Sequence, residues 1–189
     1  MEKIKKEAKV IFIDRDGVIN KYPGDRRYVN NWEEFSFIPG SITGLKKLKD
    51  KGFLLFIVSN QAGVAKGLYS QKDLDAITKR MLNQFKKHHI DLDGVYYCVH
   101  KEEDSCTCRK PKTGLLHKAL TEHNINAQVS IFIGDSFRDM KAAKEFGAKP
   151  VLVLSGKEKI SNRKNWEFEQ DYIFDNLLIA AYYLCEHYG

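Results

Sequence analysis

Asp14-Arg15-Asp16-Gly17 stands directly after the apolar run Val10-Ile11-Phe12-Ile13. Strand side chains alternate, so two carboxylates two residues apart point the same way. They do so at a strand's carboxyl end, where open α/β sheets place their ligands. Like charges this close repel unless a cation or a shared proton offsets them. The pair suits metal-assisted phosphoryl transfer. Asp14, with an ordinary pKa of about 3.9, is ionised at neutral pH and can attack phosphorus. Asp16 would give and take the proton, and Mg²⁺ would neutralise the phosphate. A calcium loop counted from Asp14 needs glycine sixth and glutamate twelfth, where Ile19 and Asp25 stand, and is excluded. Taken alone, the motif also reads as a plain strand-to-turn transition.

Three further elements carry compatible chemistry. Ser59-Asn60-Gln61 follows the apolar run Phe53–Val58, and a hydroxyl and an amide there can hydrogen-bond a phosphate oxygen. In isolation Ser-Asn is an ordinary turn signal. Gly134-Asp135-Ser136 follows Val129–Ile133, and Asp135 would complete the carboxylate set of a hard cation. Asp139, one helical turn later, joins that set or braces it; an Asp N-cap has the same local sequence. Arg109-Lys110 supplies an ammonium for the transferring phosphate and a guanidinium fork for a second oxyanion. A solvated basic turn is the plain alternative. What favours one shared site is convergence, since three strand ends and one basic pair meet at the same sheet edge.

Cys98-Val99-His100 and Cys106-Thr107-Cys108 form a separate signal. Three thiols and an imidazole complete a tetrahedral zinc set with no open position. A disulfide is disfavoured in a reducing cytoplasm, and inert core cysteines fit poorly in so polar a stretch. The ion would pin the loop so that Arg109 and Lys110 face the phosphate site. Cys185 reads as packing. Ser155-Gly156-Lys157-Glu158 only faintly resembles a nucleotide loop, because Val151 replaces the upstream glycine and Glu158 the hydroxyl residue. No ATP site is expected.

These groups need elements to position them. The 189 residues are 43% hydrophobic and 30% charged, as in ordinary globular proteins, and long enough to bury a substantial core. Strands are expected at 9–13, 53–58, 94–99, 129–133, 151–154 and 172–174. Helices are expected at 42–50, from Ser70 through the stripe Leu74, Ile77, Met81 and Phe85, at 114–123, at 137–146, and from Leu177. Strands alternating with helices predict an α/β, Rossmann-like three-layer sandwich with a mostly parallel central sheet. One domain over 1–189 is expected, with one zinc-bearing loop and no separate cap domain. Only the loops at 20–37 and 61–69 would cover the site.

The net charge of +6 admits a nucleic-acid partner or anionic small molecules. Basic residues are spread along the chain, apart from Lys157-Glu158-Lys159 and Arg163-Lys164, and no aromatic-and-basic recognition motif occurs. No nucleic-acid partner is expected. The stretch 1–9 lacks the apolar core of a signal peptide, and no apolar run approaches a membrane span. A cytoplasmic protein with no membrane partner is therefore expected.

With these residues in place, the chain resembles the haloacid dehalogenase superfamily of phosphatases. Asp14-Arg15-Asp16-Gly17, Ser59, Lys110 and Gly134-Asp135 to Asp139 match its four motifs. Within it, the chain is similar to the D-glycero-D-manno-heptose 1,7-bisphosphate 7-phosphatase family, through 14–20, 59–67, 93–98, 106–111 and 151–157. That resemblance implies Asp14 as nucleophile and Mg²⁺ ligand. It implies Asp16 as proton donor, binding Mg²⁺ through its backbone carbonyl, and Asp135 as a further ligand. Ser59 and Lys110 would stabilise the transferring phosphoryl group, and Asn60, Gln61, Ala62, Arg109 and Ser136 would contact substrate. Cys98, His100, Cys106 and Cys108 would bind structural zinc. The implied partner is a small phosphorylated sugar, hydrolysed by a monomer to supply nucleotide-activated heptose for surface polysaccharide.

Three departures bear on the substrate rather than the reaction. Ser136 stands where the family often has a basic residue, Lys66 where arginine is familiar, and the loop between His100 and Cys106 is short. The last feature is closer to histidinol-phosphate phosphatases, so histidinol phosphate or another small phosphomonoester is the alternative. The loop Gln61–Gly67 favours heptose. A polynucleotide 3′-phosphatase is a third reading, motivated by the charge, and predicts salt-sensitive binding to DNA ends. A zinc-stabilised interaction domain with a silent site is hard to reconcile with intact Asp14, Asp16, Lys110 and Asp135.

Overall fold

The computed structural model describes residues 6–161, 166 and 172–189. Residues 1–5 of the N-terminal stretch, and Arg163 and Lys164 of the basic cluster, lie outside the described residues. The elements run β1 (Lys6–Ile13), α1 (Ser41–Asp50), β2 (Leu54–Asn60), α2 (Gln71–Lys87), β3 (Gly94–Cys98), α3 (Gly114–Glu122), β4 (Ile125–Gly134), α4 (Phe137–Phe146), β5 (Lys149–Val153), β6 (Tyr172–Phe174) and α5 (Leu177–His187). Among the described residues no helix is long and apolar enough to cross a membrane.

The six strands form one sheet in the order β3-β2-β1-β4-β5-β6, and every recorded pairing is parallel. The expected mostly parallel sheet is thus parallel throughout these strands. Alternate residues of the central strands feed two cores. Ile11, Ile13, Leu55, Ile57, Ile131 and Ile133 pack with residues of α1, α2 and α5 on one face. Val10, Phe12, Phe56, Val58 and Phe132 pack with residues of α3 and α4 on the other. Burial on both faces explains why these strands are apolar without alternation. The result is the expected three layers.

β1 and β4 begin earlier than their apolar runs, because their polar ends pair with each other from Lys6↔Ile125. Backbone pairing needs no apolar side chain, so this extension left no hydrophobic signature. β2 runs two residues past Val58 to Asn60, which brings Asn60 level with Cys98. The helix α2 starts where expected: Ser70 Oγ accepts from the Asp73 amide, and Asp73 reciprocates to the Ser70 amide. Its Leu74, Ile77, Met81 and Phe85 are all buried, as a packing stripe should be.

The direction in which successive strands are added reverses at the centre of this order. From β1 the chain moves to β2 on one side and later returns to β4 on the other. Such a switch point opens a crevice at the carboxyl ends of the strands. Ile13 pairs with both Ile57 and Ile133, so the residues that follow each of these three strands converge on that crevice.

Candidate active site at the carboxyl edge of the sheet

A cavity of about 720 Å³ opens there. Asp14, Ser59, Lys110, Asp135 and Asp139 form its floor, and residues 22–28 with Lys66 form the opposite wall. The loops at 20–37 and 61–69 therefore flank the site as expected. The first is tied down at both ends, by the bridge between Asn20 and Phe37 and by an Ile38 amide that donates to Ile19 O at 2.9 Å.

Asp14 follows β1, anchored by its amide to Ile133 O at 2.9 Å. Its Oδ1 accepts from the Arg15 amide at 2.7 Å and pairs with Lys110 Nζ at 3.0 Å. Lys110 is almost wholly buried and reaches the floor from the loop before α3. Its Nζ also donates to Val58 O at 2.8 Å and pairs with Asp139 Oδ1 at 2.6 Å. Asn60 places it, with Oδ1 accepting the Lys110 amide at 3.0 Å and Nδ2 donating to Lys110 O at 3.1 Å. The side chain of Asn60, expected to contact substrate, is thereby engaged with the lysine's backbone.

Asp16 lines the same cavity, but not by continuation of the strand. β1 ends at Ile13, and a turn carries Asp16: the Gly17 amide donates to Asn20 O at 2.7 Å. Arg15, with no exposed side-chain surface, folds back onto its neighbour and pairs with Asp16 Oδ2 through Nη2 at 3.0 Å. The repulsion expected between Asp14 and Asp16 is thus answered residue by residue, Lys110 serving one carboxylate and Arg15 the other.

Asp135 ends up against the chain's own backbone. The Lys157 amide donates to its Oδ2 at 2.7 Å, and a Cβ on either Gly17 or Gly156 would overlap that oxygen. Ser155 Oγ closes the arrangement by donating to Gly17 O at 2.7 Å. The segment 155–157, which is no nucleotide loop, is therefore part of the site. Asp135 is not the N-cap of α4. Ser136 occupies that position in a capping box, and Asp139 is its partner, with Oδ2 accepting from Ser136 N at 3.1 Å and Ser136 Oγ at 2.6 Å. Of the two roles open to Asp139, its bonds are those of a brace.

The electrostatics fit a divalent cation. Ligand oxygens of Asp14, Asp135 and Asp139 lie within 4.8 Å of one another, all three residues are buried, and Lys110 pairs with Asp14 and Asp139. Burial raises the Asp14 carboxyl to about 6 against the pull of Lys110, with Asp139 and Asp16 adding to the rise. Burial also pushes Asp135 well above the carboxylate range, helped by repulsion from Asp139 and Asp14. Groups so raised carry a surplus of negative charge that a cation would relieve. Lys110 and Ser136 occupy Asp139, so Asp14 and Asp135 are the pair suited to hold an ion. Two carboxylates completed by water and phosphate oxygens match the habits of Mg²⁺.

The cysteine loop sits beside this floor. Cys98 ends β3, and Cys98, His100, Cys106 and Cys108 bring four ligand atoms within 4.8 Å. The sulfur–sulfur separations are 3.2, 3.4 and 3.7 Å. A disulfide would need about 2.05 Å, whereas the edge of a zinc–thiolate tetrahedron is about 3.8 Å. The set is compatible with zinc and not with a bridge. Lys112 Nζ straps the loop by donating to Cys106 O at 2.7 Å and Ser105 O at 3.1 Å, and Arg109 Nη1 donates to His100 O at 3.3 Å.

Of the residues expected to contact substrate, Asn60, Arg109 and Ser136 line the cavity, while Gln61 and Ala62 are buried behind it. Lys66, Arg138 and Lys157 also line it without having been singled out as contacts. Exposed cations at a cavity mouth carry no periodic signature, which is why composition alone could not select them.

Comparison with known proteins agrees with this geometry. A family model described as HAD-hydrolase-like matches residues 107–180. A D-glycero-beta-D-manno-heptose-1,7-bisphosphate 7-phosphatase of Pasteurella multocida is 39% identical over 178 residues, covering 89% of this chain and 92% of that one. The D-glycero-alpha-D-manno-heptose-1,7-bisphosphate 7-phosphatase of Campylobacter jejuni is 38% identical over 153 residues, covering 81% and 86%. The crystal structure of a D,D-heptose 1,7-bisphosphate phosphatase from B. bronchiseptica, complexed with magnesium and phosphate, superposes with a TM-score of 0.87 at 29% identity, covering 94% of this chain and 98% of that one. The chain belongs to the heptose-bisphosphate phosphatase family of haloacid dehalogenase-like phosphatases.

Proposed function

We propose that this chain, acting as one domain over 1–189 and as a cytoplasmic monomer, removes the 7-phosphate of a D-glycero-D-manno-heptose 1,7-bisphosphate. The observation that carries this reading is the convergence of Asp14, Lys110 and Asp135 on one cavity floor, in a chain about 39% identical to enzymes named for that reaction. Asp14 attacks phosphorus as Asp16 protonates the departing sugar oxygen, leaving an aspartyl phosphate. Asp16, now ionised, takes a proton from the water that cleaves it. Lys110 and the Ser59 hydroxyl hold the oxygens of the transferring group, where charge builds. Asp14 and Asp135 side chains, with the Asp16 carbonyl, would hold Mg²⁺, which when bound neutralises the phosphate and orients it. Cys98, His100, Cys106 and Cys108 would hold zinc and keep the loop of Arg109 in place.

Arg109, with Lys66 and Arg138 on the rim, would bind the second phosphate, and Ser136 the sugar. The test is phosphate release from the α and β heptose bisphosphates, histidinol phosphate, nucleotides and 3′-phosphorylated DNA, with and without Mg²⁺. The heptose bisphosphates should give the highest kcat/KM, and only with Mg²⁺. Equal or better turnover of histidinol phosphate would reverse the assignment.

A further inference from the structure

Asp16 is held by an unusual number of donors for a group that must move a proton. Its Oδ1 accepts from Arg15 Nε at 3.2 Å, Arg15 Nη2 at 3.0 Å and Asn20 Nδ2 at 2.8 Å. Its Oδ2 accepts from Arg15 Nη2 at 3.0 Å and from Gln61 Nε2 at 2.8 Å. Arg15 and Asn20 belong to the same turn as Asp16 and would travel with it. Gln61 does not: it follows β2, its amide bonded to Cys98 O at 2.7 Å. Of these side-chain donors, Gln61 is the one that ties Asp16 to the element bearing Ser59.

We propose that Gln61, locked by Tyr69, is a positioning residue that orients the Asp16 carboxyl toward the oxygen leaving phosphorus. The proposal rests on the phosphatase reading above and goes beyond it. Gln61 is almost completely buried, so its amide must satisfy both ends within the protein. Tyr69, also buried, donates its hydroxyl to Gln61 Oε1 at 2.7 Å. That contact turns the two hydrogens of Nε2 toward Asp16 and toward Ser59 Oγ, the latter at 3.1 Å. Once Asp16 has given up its proton, an amide turned the other way would set its oxygen against the carboxylate, two acceptors with no proton between them.

Residue choice around the pair supports this assignment. A Cβ on Gly63 would overlap the Tyr69 ring, so the glycine is what lets the ring reach Gln61. The arrangement also explains why Gln61 lies behind the cavity rather than on its wall. In the first half-reaction the Asp14–phosphorus bond forms while the bond from phosphorus to the sugar oxygen breaks. The electron pair left on that oxygen takes the proton of Asp16, which ends ionised among the donors of Arg15, Asn20 and Gln61. A carboxyl free to rotate would miss that oxygen, and misplacement by about 1 Å can cost on the order of 100-fold in rate.

The test compares two leaving groups in Gln61→Met and Tyr69→Phe. The alkoxide of heptose 1,7-bisphosphate needs a proton to depart, whereas the phenolate of 2,4-dinitrophenyl phosphate leaves without one. The readout is the ratio of kcat/KM for the sugar ester to that for the aryl ester, which a general loss of structure would not move. In Gln61→Met the ratio should fall by about 10-fold or more, within the roughly 10²–10⁴ that acid catalysis contributes. Tyr69→Phe keeps the ring and should lower the ratio in the same direction by a smaller factor. An unchanged ratio in both variants overturns the proposal, whether both rates drop together or neither does. A parent protein that cleaves neither ester overturns it along with the phosphatase reading.

Discussion

The carboxylates around Asp14 and the thiols around Cys98 each gather metal-ligating atoms within 4.8 Å, but different things hold them there. Asp14 and Asp135 follow directly on β1 and β4, two strands whose last residues are wholly buried, and Asp139 lies in the first turn of α4. Sheet pairing sets their positions before any ion arrives. His100, Cys106 and Cys108 instead sit on a loop outside the sheet, strapped by the contacts of Lys112 and Arg109. The first cluster is a rigid place where like charges are forced together. The second is a loop held by a few side-chain bonds, where an ion would supply further order. A cation in one would serve the chemistry, and in the other the architecture.

The largest expected effect tests the rigid half. Asp14→Asn removes the nucleophile and should lower turnover by at least about 1,000-fold, while the far-UV circular dichroism stays unchanged. Undiminished turnover would refute the role of Asp14. The same substitution bears on pH. An acid raised to about 6 in the fold, from about 3.9 when unfolded, leaves the native state binding the extra proton between those values. Metal-free parent protein should therefore lose stability as pH rises from about 4 to 6, with no further decline from Asp14 above that. Asp14→Asn should lessen this decline, leaving the part due to Asp135, as thermal melts across pH 4–8 would record.

Metal removal separates the two regions most directly. Withdrawing Mg²⁺ should abolish turnover reversibly and shift the melting temperature by no more than about 2 °C, since a weakly held ion adds little stability. Losing zinc through Cys108→Ser should lower the melting temperature by about 5 °C or more and turnover by about 10-fold, with zinc content confirmed by elemental analysis. A melting temperature indifferent to Cys108→Ser would show the loop to be ordered without its ion, and the contrast would fail.

The smallest effect lies on the rim between the two regions. Arg138 lines the cavity and pairs with Glu102 of the cysteine loop at 2.9 Å, with both side chains well exposed. So exposed a pair contributes under about 1 kcal/mol. Arg138→Ala should leave stability alone and raise KM for the bisphosphate about 3- to 10-fold with little change in kcat, the signature of lost ground-state binding. A fall in kcat instead would move Arg138 from the rim into the chemistry.

Much of the site was legible in the residues because chemistry at strand ends is written locally. Asp14, Ser59 and Asp135 each follow an apolar run, and the helix after Asp135 spans Phe137–Phe146 as its pattern predicts. What was not legible concerns partners. Asn60 and Gln61 were expected to meet substrate, yet their side chains turn to Lys110 and Asp16. Arg15 has no assigned role in the sequence pattern, yet it is buried against one of the two aspartates that flank it. Periodicity reports which face of an element a residue occupies, and says nothing of what the neighbouring element offers there.

Taken by itself, the order of residues determined the layered α/β architecture, the acidic strand ends and the cysteine–histidine quartet. Each of these follows from local preference or from the spacing of like groups. Only the tertiary structure decided which cation serves which carboxylate, that the Lys157 amide and two glycines enclose Asp135, and that an amide from the loop after β2 grips the proton-transferring acid. Those decisions depend on groups tens of residues apart reaching hydrogen-bond distance, and such distances exist only once the sheet has closed.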